Sequence, residues 1–266
     1  MSEPEPALVA VDFTATSLRV ALASMDGRVI YREDFPLGEL ADEDAWAWEV
    51  GGRIATCFAA EGNQRWAAGI GVACPGIVDS ANGHLIESTA SEAWDGLDVV
   101  GSIRRHIDAP VVAISRVEAG LRGEAAAGAA AETFDALYVC LDDYPQAAIL
   151  SSGRVIAGVR GRAGALPAFP EIEVGAALAG AELEQAISLL ADLVALVDPA
   201  VVVIQGALEH VQPLVATLQA VLDQVSPGTE VSPALLGPNA ALLGALKAAA
   251  IVAFEGNPDE VEERVS

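Results

Sequence analysis

Residues 67–79 read AAGIGVACPGIVD, and this stretch is the starting point for predicting the fold of the first half of the chain. The apolar run Ala67–Ala73 is typical of a buried strand. Pro75-Gly76 interrupts both strands and helices, so the run is predicted to end there in a turn. A second hairpin is predicted around Asn82-Gly83, a dipeptide that is favoured in tight turns.

Around that strand, the pattern predicts three meandering strands before it and alternating helices and strands after it. Strands are predicted at 7–11, 18–24, 28–32 and 111–114, and helices at 42–59, 97–106 and 116–130. Asp42 or Asp44 is expected near the start of the first helix, because a carboxylate there satisfies free N–H groups.

The second half of the chain repeats this order. Strands are predicted at 136–141, 147–150, 155–158, 201–204 and 230–232, and helices at 182–196, 208–222 and 240–254. Two such halves predict an α/β protein of two lobes that face a central cleft, a place that ligands favour. The predicted domains are an N-terminal lobe at 1–130, on which the helix 240–254 can also pack, a C-terminal lobe at 131–256, and an acidic flexible tail at 257–266.

The charge of the chain argues against several classes of partner. Its 38 Asp and Glu residues against 14 Lys and Arg give a formal net charge of −24. Such a field repels the phosphates of nucleic acids and anionic lipids. No apolar run reaches the ~18 residues of a membrane span, and the first residues lack the pattern of a signal peptide. We therefore expect a cytoplasmic protein without direct nucleic acid or membrane contacts.

The cysteines and histidines show neither a disulfide pattern nor a metal-binding pattern. The chain has three of each, without a CxxC pair and without ligand spacing between them. The isolated cysteines stand in apolar segments and are predicted to be buried and reduced: Cys57, Cys74 and Cys140. No metal site is predicted.

Several segments, in chain order, resemble the ROK family, which groups bacterial sugar kinases with sugar-responsive repressors. They are VAVDFTAT at 9–16 followed by Asp26-Gly27, GIGVACPGIVD at 69–79 followed by WDGLD at 94–98, VDPAVVVIQG at 197–206, and AALLGA at 240–245. The resemblance implies two ribonuclease-H-like lobes, the actin/hexokinase-like ATPase fold. It also implies a shortened C-terminal lobe, since several dozen residues of the family pattern are missing before Asp198-Pro199.

The resemblance places the nucleotide side of the family on six residues: Asp12, Thr14, Thr16, Asp142, Asp143 and Gly206. In the kinases of the family two glycines follow the first Asp, and this chain has Thr14 and Ala15 there. A Cβ at each position narrows the approach of backbone N–H groups to a phosphate. For Asp12 and Thr16, a phosphate site and a plain strand-end turn stay open as interpretations.

The second phosphate loop of the family is a glycine-rich turn, and this chain reads LDDYPQ at 141–146. Two carboxylates stand where phosphates would lie, and like charges repel. Pro145 also removes an N–H donor. A Mg²⁺ site on the two aspartates is the alternative to a solvated turn.

The general base of the family is an Asp, and Arg116 falls on its position. A guanidinium is permanently charged and has no acceptor, so it cannot take a proton from a sugar hydroxyl. Glu118 is the alternative base, but two helix positions turn it about 200° away. In the simpler interpretation, Arg116 lies near a helix start, directly after Ser115, and forms an ion pair with a carboxylate such as Glu118 or Asp142.

The sugar side of the family is also altered. Its Glu and His are replaced within AGALPA at 163–168, and its cysteine-rich zinc segment is missing. The Asn that contacts sugar corresponds to Ala90 or Ser91, while Trp94 is retained. The remaining residues on the sugar side are Pro75, Gly76, Ser91, Trp94, Ser115 and Glu118.

These changes together favour a non-catalytic ROK-like protein, a binding or regulatory module derived from a sugar kinase. No catalytic residue, no cofactor and no zinc are expected, and a sugar-like ligand, a homodimer and a protein partner stay open. The alternative is an active sugar or small-metabolite kinase that uses ATP and Mg²⁺ with rearranged residues. A second alternative is the effector-sensing component of a transcription regulator without its own DNA-binding domain.

Overall fold

The computed structural model describes residues 4–40, 42–62, 64–142, 144–170 and 178–255. Their contacts divide the chain into two units. The first unit holds the described residues up to Ala119 and those from Ala241 onward, and the second is Gly120–Ala240. Asp143 and the predicted tail 257–266 lie outside the described residues.

The first unit contains a five-stranded mixed sheet. Its elements are β1 (Glu5–Phe13), β2 (Ser17–Ala23), β3 (Val29–Pro36), α1 (Glu43–Ala60), β4 (Arg65–Cys74), β5 (Gly76–Asp79), β6 (His84–Ser88), β7 (Leu97–Asp98), α2 (Val99–Arg104), β8 (Val111–Ser115) and the start of α3 (Arg116–Ala127). The strand order is β3-β2-β1-β4-β8, with β1, β4 and β8 parallel and the β1-β2-β3 meander antiparallel. The strands β5, β6 and β7 form a small separate sheet.

The second unit repeats this topology. Its elements are β9 (Ala136–Cys140), β10 (Gln146–Ser151), β11 (Arg154–Val155), α4 (Gly180–Val197), β12 (Val201–Gln205), α5 (Leu208–Val225) and β13 (Glu230–Pro233). The strand order β11-β10-β9-β12-β13 matches that of the first sheet position by position. The internal repeat predicted from the sequence is therefore confirmed.

The side chains of β1 point alternately to the two faces of the first sheet, and each face is covered by its own core. Val9, Val11 and Phe13 belong to a core that includes α1, while Leu8 and Ala10 belong to a second core on the opposite face. Helix α1 begins after Asp42, whose carboxylate accepts a hydrogen bond from the N–H of Ala45, as predicted.

The last helix, α6 (Ala240–Glu255), covers that opposite face. It lies so close to β4 that a Cβ built on Gly71 would be 2.0 Å from the carbonyl oxygen of Ala245. By length and composition alone, residues 237–254 are long and apolar enough to cross a membrane. Packing against β4 accounts for this apolar character, because buried residues of α6 such as Ala245 and Ala249 form part of the core.

Several observed elements have bounds that differ from the predicted ones, and for two of them the structure shows the reason. The predicted helix 97–106 is shorter, because Leu97–Asp98 pairs with β6 as a short strand and the Asp98 carboxylate then caps α2 through the N–H of Gly101. The predicted strand 155–158 ends at Val155. A glycine with a positive φ follows shortly after it, Gly158 at 74°, and turns the chain away from the sheet.

Candidate functional site

A buried cluster of charges in the first unit centres on Asp12, near the end of β1. Asp12 is completely buried, and both of its carboxylate oxygens are bonded to arginines. The Nε–H of Arg116 donates to Oδ1 over 2.8 Å, and the Nη2–H of Arg19 donates to Oδ2. Arg19 is 8% exposed. We call these three residues the arginine clamp.

The topology explains why residues so distant in sequence meet. Arg19 lies directly opposite Asp12 in the β1-β2 register, so the two side chains share one face of the sheet. Arg116 is the first residue of α3 and follows β8. Since β1, β4 and β8 are parallel, their carboxyl ends reach the same edge, and the start of α3 comes within reach of Asp12.

The clamp gives Arg116 a partner that sequence reasoning did not name. The structure pairs its guanidinium with Asp12, 104 positions earlier. Thus the two residues that the family resemblance assigns to the base position and to the first phosphate motif bind each other. Arg19 is the member of the clamp that sequence reasoning missed. Its signal was a charged residue within the otherwise apolar segment SLRVALA, at the hairpin position opposite Asp12.

A thiol lies in the same region, because Cys74 ends β4 between β1 and β8. Burial raises the pKa of the Cys74 thiol, and the negative charge of Asp12 acts in the same direction. Cys74 is therefore held as a neutral thiol rather than as a nucleophilic thiolate.

The charge pattern continues outward over the meander. Arg19 is the register partner of Asp34 on β3, and Arg32 donates to both carboxylate oxygens of Asp34 at 3.0 and 2.9 Å. The hydrogen bonds from Arg32 lower the pKa of Asp34, and Arg19 adds to the effect. Acidic and basic groups thus alternate from Asp12 outward across the strands.

The turn after Asp12 is closed on itself by the side chain of Thr14. Its Oγ1 accepts hydrogen bonds from the N–H groups of Ser17 and Thr16 at 3.1 and 3.3 Å, and it also bonds the Ser17 hydroxyl at 2.9 Å. The N–H of Thr14 donates to the carbonyl of Ser17. Three backbone donors of this loop, the N–H groups of Thr14, Thr16 and Ser17, are therefore already used within the loop.

The other residues assigned to the nucleotide side of the family, Asp142 and Gly206 among those described, lie in the second unit. Asp142 follows β9, and its Oδ2 is 3.6 Å from the Sγ of Cys140. Gly206 follows β12 with φ 156°, and a Cβ there would lie 2.9 Å from the Cβ of Leu141. Gly206 thus permits a close approach of two loops at the carboxyl ends of adjacent parallel strands.

The residues assigned to the sugar side make mainly structural contacts. The Ser115 hydroxyl accepts from the N–H of Glu118 and caps α3, and the Ser91 hydroxyl accepts from the N–H of Ala93. Trp94 is 3% exposed and packs edge-on against Phe13, with 5.4 Å between ring centroids. Glu118 is buried near the start of α3.

The turn at Pro75-Gly76 packs against β6. The Pro75 carbonyl accepts from the N–H of Thr89. Gly76 has φ 134°, and a Cβ there would lie 2.0 Å from the carbonyl oxygen of Glu87. Only glycine fits this position, so the Pro-Gly pair has a structural reason independent of any ligand.

The zinc ion that the family resemblance implies has no matching ligand set in the part of the chain that the structure describes. Among those residues, no three His, Cys, Asp or Glu side chains are grouped so that they could hold a metal. The side chains at 163–168 are apolar and offer neither the carboxylate nor the imidazole of the family pattern.

Comparison with known proteins identifies the scaffold. A model of the ROK family matches residues 8–167. The structure is similar to that of the ROK hexokinase from Thermus thermophilus, with 22% identity, a TM-score of 0.75 and coverage of 94% of this chain and 99% of that one. A ROK family glucokinase from Streptomyces griseus, in complex with glucose and AMPPNP, has 17% identity, a TM-score of 0.70 and coverage of 91% and 99%.

A similar structure is also found among regulators. A ROK family transcriptional regulator, a homolog of the MLC protein of E. coli, has 14% identity, a TM-score of 0.76 and coverage of 93% of this chain and 79% of that one. A search of curated proteins found no match. At these identities the structural likenesses establish the fold, the actin/hexokinase-like scaffold expected from the sequence.

Proposed function

Because this chain belongs to the ROK family, we propose that it is a non-catalytic member, a binding or regulatory module built on a sugar-kinase scaffold. The observation that supports this most strongly is the arginine clamp. A kinase of this type needs a carboxylate to take the proton of the attacking hydroxyl. At that position Arg116 has no acceptor, and its guanidinium is bonded to the Asp of the first phosphate motif.

The clamp also removes Asp12 from phosphate chemistry. A metal ion or its water ligands need free carboxylate oxygens. Both oxygens of Asp12 already accept from guanidiniums inside a fully buried site. Breaking such a pair leaves an uncompensated buried charge, which is strongly unfavourable.

Two further features support a site that does not hold ATP. The Thr14 hydroxyl occupies N–H groups of the first loop that a phosphate would require. Asp142 places a carboxylate at the start of the second loop, and its charge repels phosphate oxygens. We therefore propose that neither ATP, Mg²⁺ nor zinc is a resident cofactor.

A sugar-like small molecule is the ligand class that we propose. The Streptomyces griseus relative is described in complex with glucose and AMPPNP, and a ROK family protein from Streptococcus pneumoniae in complex with sucrose. We place the protein in the cytoplasm without direct nucleic acid contacts, in keeping with its net charge of −24.

A second candidate is the effector-sensing component of a transcription regulator. The structural similarity to a ROK family transcriptional regulator favours it. Under this proposal a partner protein would contact DNA, since the acidic chain is poorly suited to do so itself. A sugar that stabilises the protein and changes its affinity for a partner would support this candidate over a plain binding protein.

A phosphorylation assay tests the leading proposal. Pure protein is incubated with Mg-ATP and a panel of hexoses and amino sugars, and sugar phosphate is measured directly. We expect no product above the background of an Arg116→Ala variant. Product that the wild type forms and the Arg116→Ala variant does not would contradict the proposal and favour the alternative of a kinase with rearranged residues.

A further inference from the structure

The arginine clamp differs in charge from the other ion pairs described in the first unit. In the clamp, the guanidiniums of Arg19 and Arg116 share the one carboxylate of Asp12. The other described ion pairs of this unit give each arginine at least one carboxylate: Arg32 with Asp34, Arg53 with Glu49, Arg65 with Glu5, and Arg105 with Glu43 and Asp44. An anion that approaches the clamp therefore meets two positive charges and one negative charge within it.

Arg116 is the member of the clamp that is most open to solvent. Its side chain is 22% exposed, against 9% for Arg19 and 0% for Asp12. It is the first residue of α3 and directly follows β8, at the edge where the parallel strands β1, β4 and β8 end. In open α/β sheets, ligands bind outside this carboxyl edge of the strands. Arg116 therefore lies where a ligand of the first unit is expected.

Asp12 holds the Arg116 guanidinium in one direction. The Nε–H of Arg116 donates to Oδ1 of Asp12 over 2.8 Å, and Asp12 itself is completely buried. A guanidinium presents five donors in a rigid planar fork, so it can bind a second carboxylate while it stays bonded to the first. Because the ion pair already orders this long side chain, binding a ligand carboxylate costs little of its rotamer entropy.

Hydroxyl groups are also present at this edge of the sheet. Ser115 directly precedes Arg116 at the end of β8, and Thr16 lies exposed in the turn that follows β1. The Ser115 oxygen accepts the N–H of Glu118, and a hydroxyl that accepts can still donate its own hydrogen. Serine and threonine hydroxyls beside a guanidinium suit a ligand that carries both hydroxyl groups and a negative charge.

A carboxylate fits this site better than a phosphate ester does. A phosphate ester carries a charge of about −1.5 to −2 at pH 7 and three acceptor oxygens, so it needs many donors. The N–H groups of Thr14, Thr16 and Ser17 are already bonded within the loop after Asp12. A carboxylate has one charge and two oxygens, which a single guanidinium can bind through two parallel N–H donors.

We propose that the ligand of this protein is a sugar acid, a monosaccharide that carries a carboxylate, and that Arg116 binds this carboxylate. The inference rests on the proposed function, because it names the class of sugar-like ligand that the binding module takes. Arg116 then distinguishes sugar acids from neutral hexoses, since a charge-assisted hydrogen bond is roughly twice as strong as a neutral one.

Isothermal titration calorimetry of the full chain tests the inference. The probes are D-glucuronate with D-glucose and D-galacturonate with D-galactose, two pairs that differ in a carboxylate against a hydroxymethyl group. Glucose 6-phosphate and acetate serve as further anions. The variants are Arg116→Gln, which keeps Asp12 bonded to Arg19, and Arg116→Lys, which keeps the charge but not the planar fork. The matched control is Arg104→Gln, at an exposed arginine of the same unit.

We expect at least one sugar acid to bind the wild type and the Arg104→Gln control about tenfold or more tighter than its neutral partner. Arg116→Gln should weaken this binding about tenfold or more and change that of the neutral sugar by less than about twofold, with Arg116→Lys in between. Higher salt should weaken the binding of the sugar acid and leave that of the neutral sugar unchanged, a result that needs no variant.

The inference is overturned if neither sugar acid binds more tightly than its neutral partner, or if neither Arg116 variant changes the binding of the sugar acid. Tighter binding of glucose 6-phosphate would assign the site to phosphate esters, and equally tight binding of acetate would show an anion site without sugar recognition, so either result also overturns it. The phosphorylation assay with Mg-ATP separates this failure from that of the proposed function. Sugar phosphate as product contradicts the proposed function, whereas a preference for a neutral sugar without product contradicts only the sugar acid.

Discussion

At the scale of single residues, the proposed loss of kinase chemistry rests mainly on one cluster of charges. In this cluster the carboxylate of Asp12 is hydrogen-bonded to the guanidiniums of Arg19 and Arg116. Buried ion pairs give little net stability when intact, but they become costly when one partner is removed. Each guanidinium of the clamp therefore compensates part of the buried charge of Asp12.

Replacing Arg19 by Met is expected to lower the free energy of unfolding by about 3–5 kcal/mol, because Asp12 would remain buried with one of its two oxygens unpaired. Arg116→Met is expected to cost less, since the side chain of Arg116 is 22% exposed and that of Arg19 only 9%. Urea unfolding measures both. Adding Asp12→Asn to either variant should recover part of the loss, and strictly additive effects would contradict the coupling.

The thiols provide a second prediction at this scale. Burial raises the pKa of Cys57 to about 11, and burial also raises that of Cys74, while Cys140 is only half-buried. Since the thiolate is the reactive form, a thiol reagent at pH 8 should modify only Cys140 in the folded protein and all three cysteines in urea. Rapid modification of Cys74 in the native protein would contradict this account of the site.

The raised pKa of Cys57 also predicts how the stability of the protein depends on pH. The pKa of Cys57 is raised from 9.0 to about 11 in the folded protein, so its contribution to stability is complete below pH 9. As the pH rises from 9 towards 11, the unfolded chain releases this proton first, and the free energy of unfolding should fall. A Cys57→Ala variant should show a smaller fall over that range.

Elements were largely predictable from the sequence where periodicity and turn residues agreed. The meanders, the parallel strands after them and the repeat of the whole pattern follow from apolar runs separated by Gly, Pro and Asp. The short strand β7 was missed because Leu97–Asp98 has no pattern of its own and is held by pairing with β6. Likewise, the partner of Arg116 could not be predicted, because it depends on which strand ends meet at one edge of the sheet.

The contact between β4 and α6 gives a prediction at the scale of elements. Gly71→Ala would place a methyl group 2.0 Å from the carbonyl oxygen of Ala245, so the helix must shift. We expect a loss of about 1–3 kcal/mol in urea unfolding, typical of overpacking. Gly38→Ala is the control, because a Cβ there meets no atom within 4 Å. Equal effects of the two substitutions would show that α6 does not pack as described.

A buried carboxylate on α3 gives another prediction at this scale. Glu124 is completely buried and accepts hydrogen bonds from the N–H groups of Ala129, Leu235 and Leu236 at 2.7, 3.2 and 2.8 Å. Glu124→Ala leaves these donors without a partner, so we expect a loss of about 3 kcal/mol or more in thermal or urea unfolding. Glu184→Ala, at an exposed position of α4, should change stability by less than about 0.5 kcal/mol. A loss of less than about 0.5 kcal/mol in the free energy of unfolding for Glu124→Ala would contradict the inference that its carboxylate stabilises the fold by accepting from these three N–H groups.

At the scale of the whole molecule, the fold and the site lead to separate conclusions. The ROK family match and the repeated topology identify a scaffold that kinases and regulators share. The function proposed for this chain comes instead from particular side chains, above all the pairing of Arg116 with Asp12. The family resemblance assigns Arg116 to the base position, and the structure gives it a partner, Asp12, whose carboxylate explains why an arginine is stable there.

The most direct test of this account is a thermal-shift titration of the pure protein with Mg-ATP, in parallel with common hexoses. A ligand at 100 times its Kd stabilises the folded state by about 2.7 kcal/mol, which is readily detected. The account predicts no shift with Mg-ATP at millimolar concentration, whether or not a sugar stabilises the protein. A saturable shift with Mg-ATP that Asp12→Asn abolishes would contradict the central claim, because it would show that the clamped carboxylate takes part in nucleotide binding.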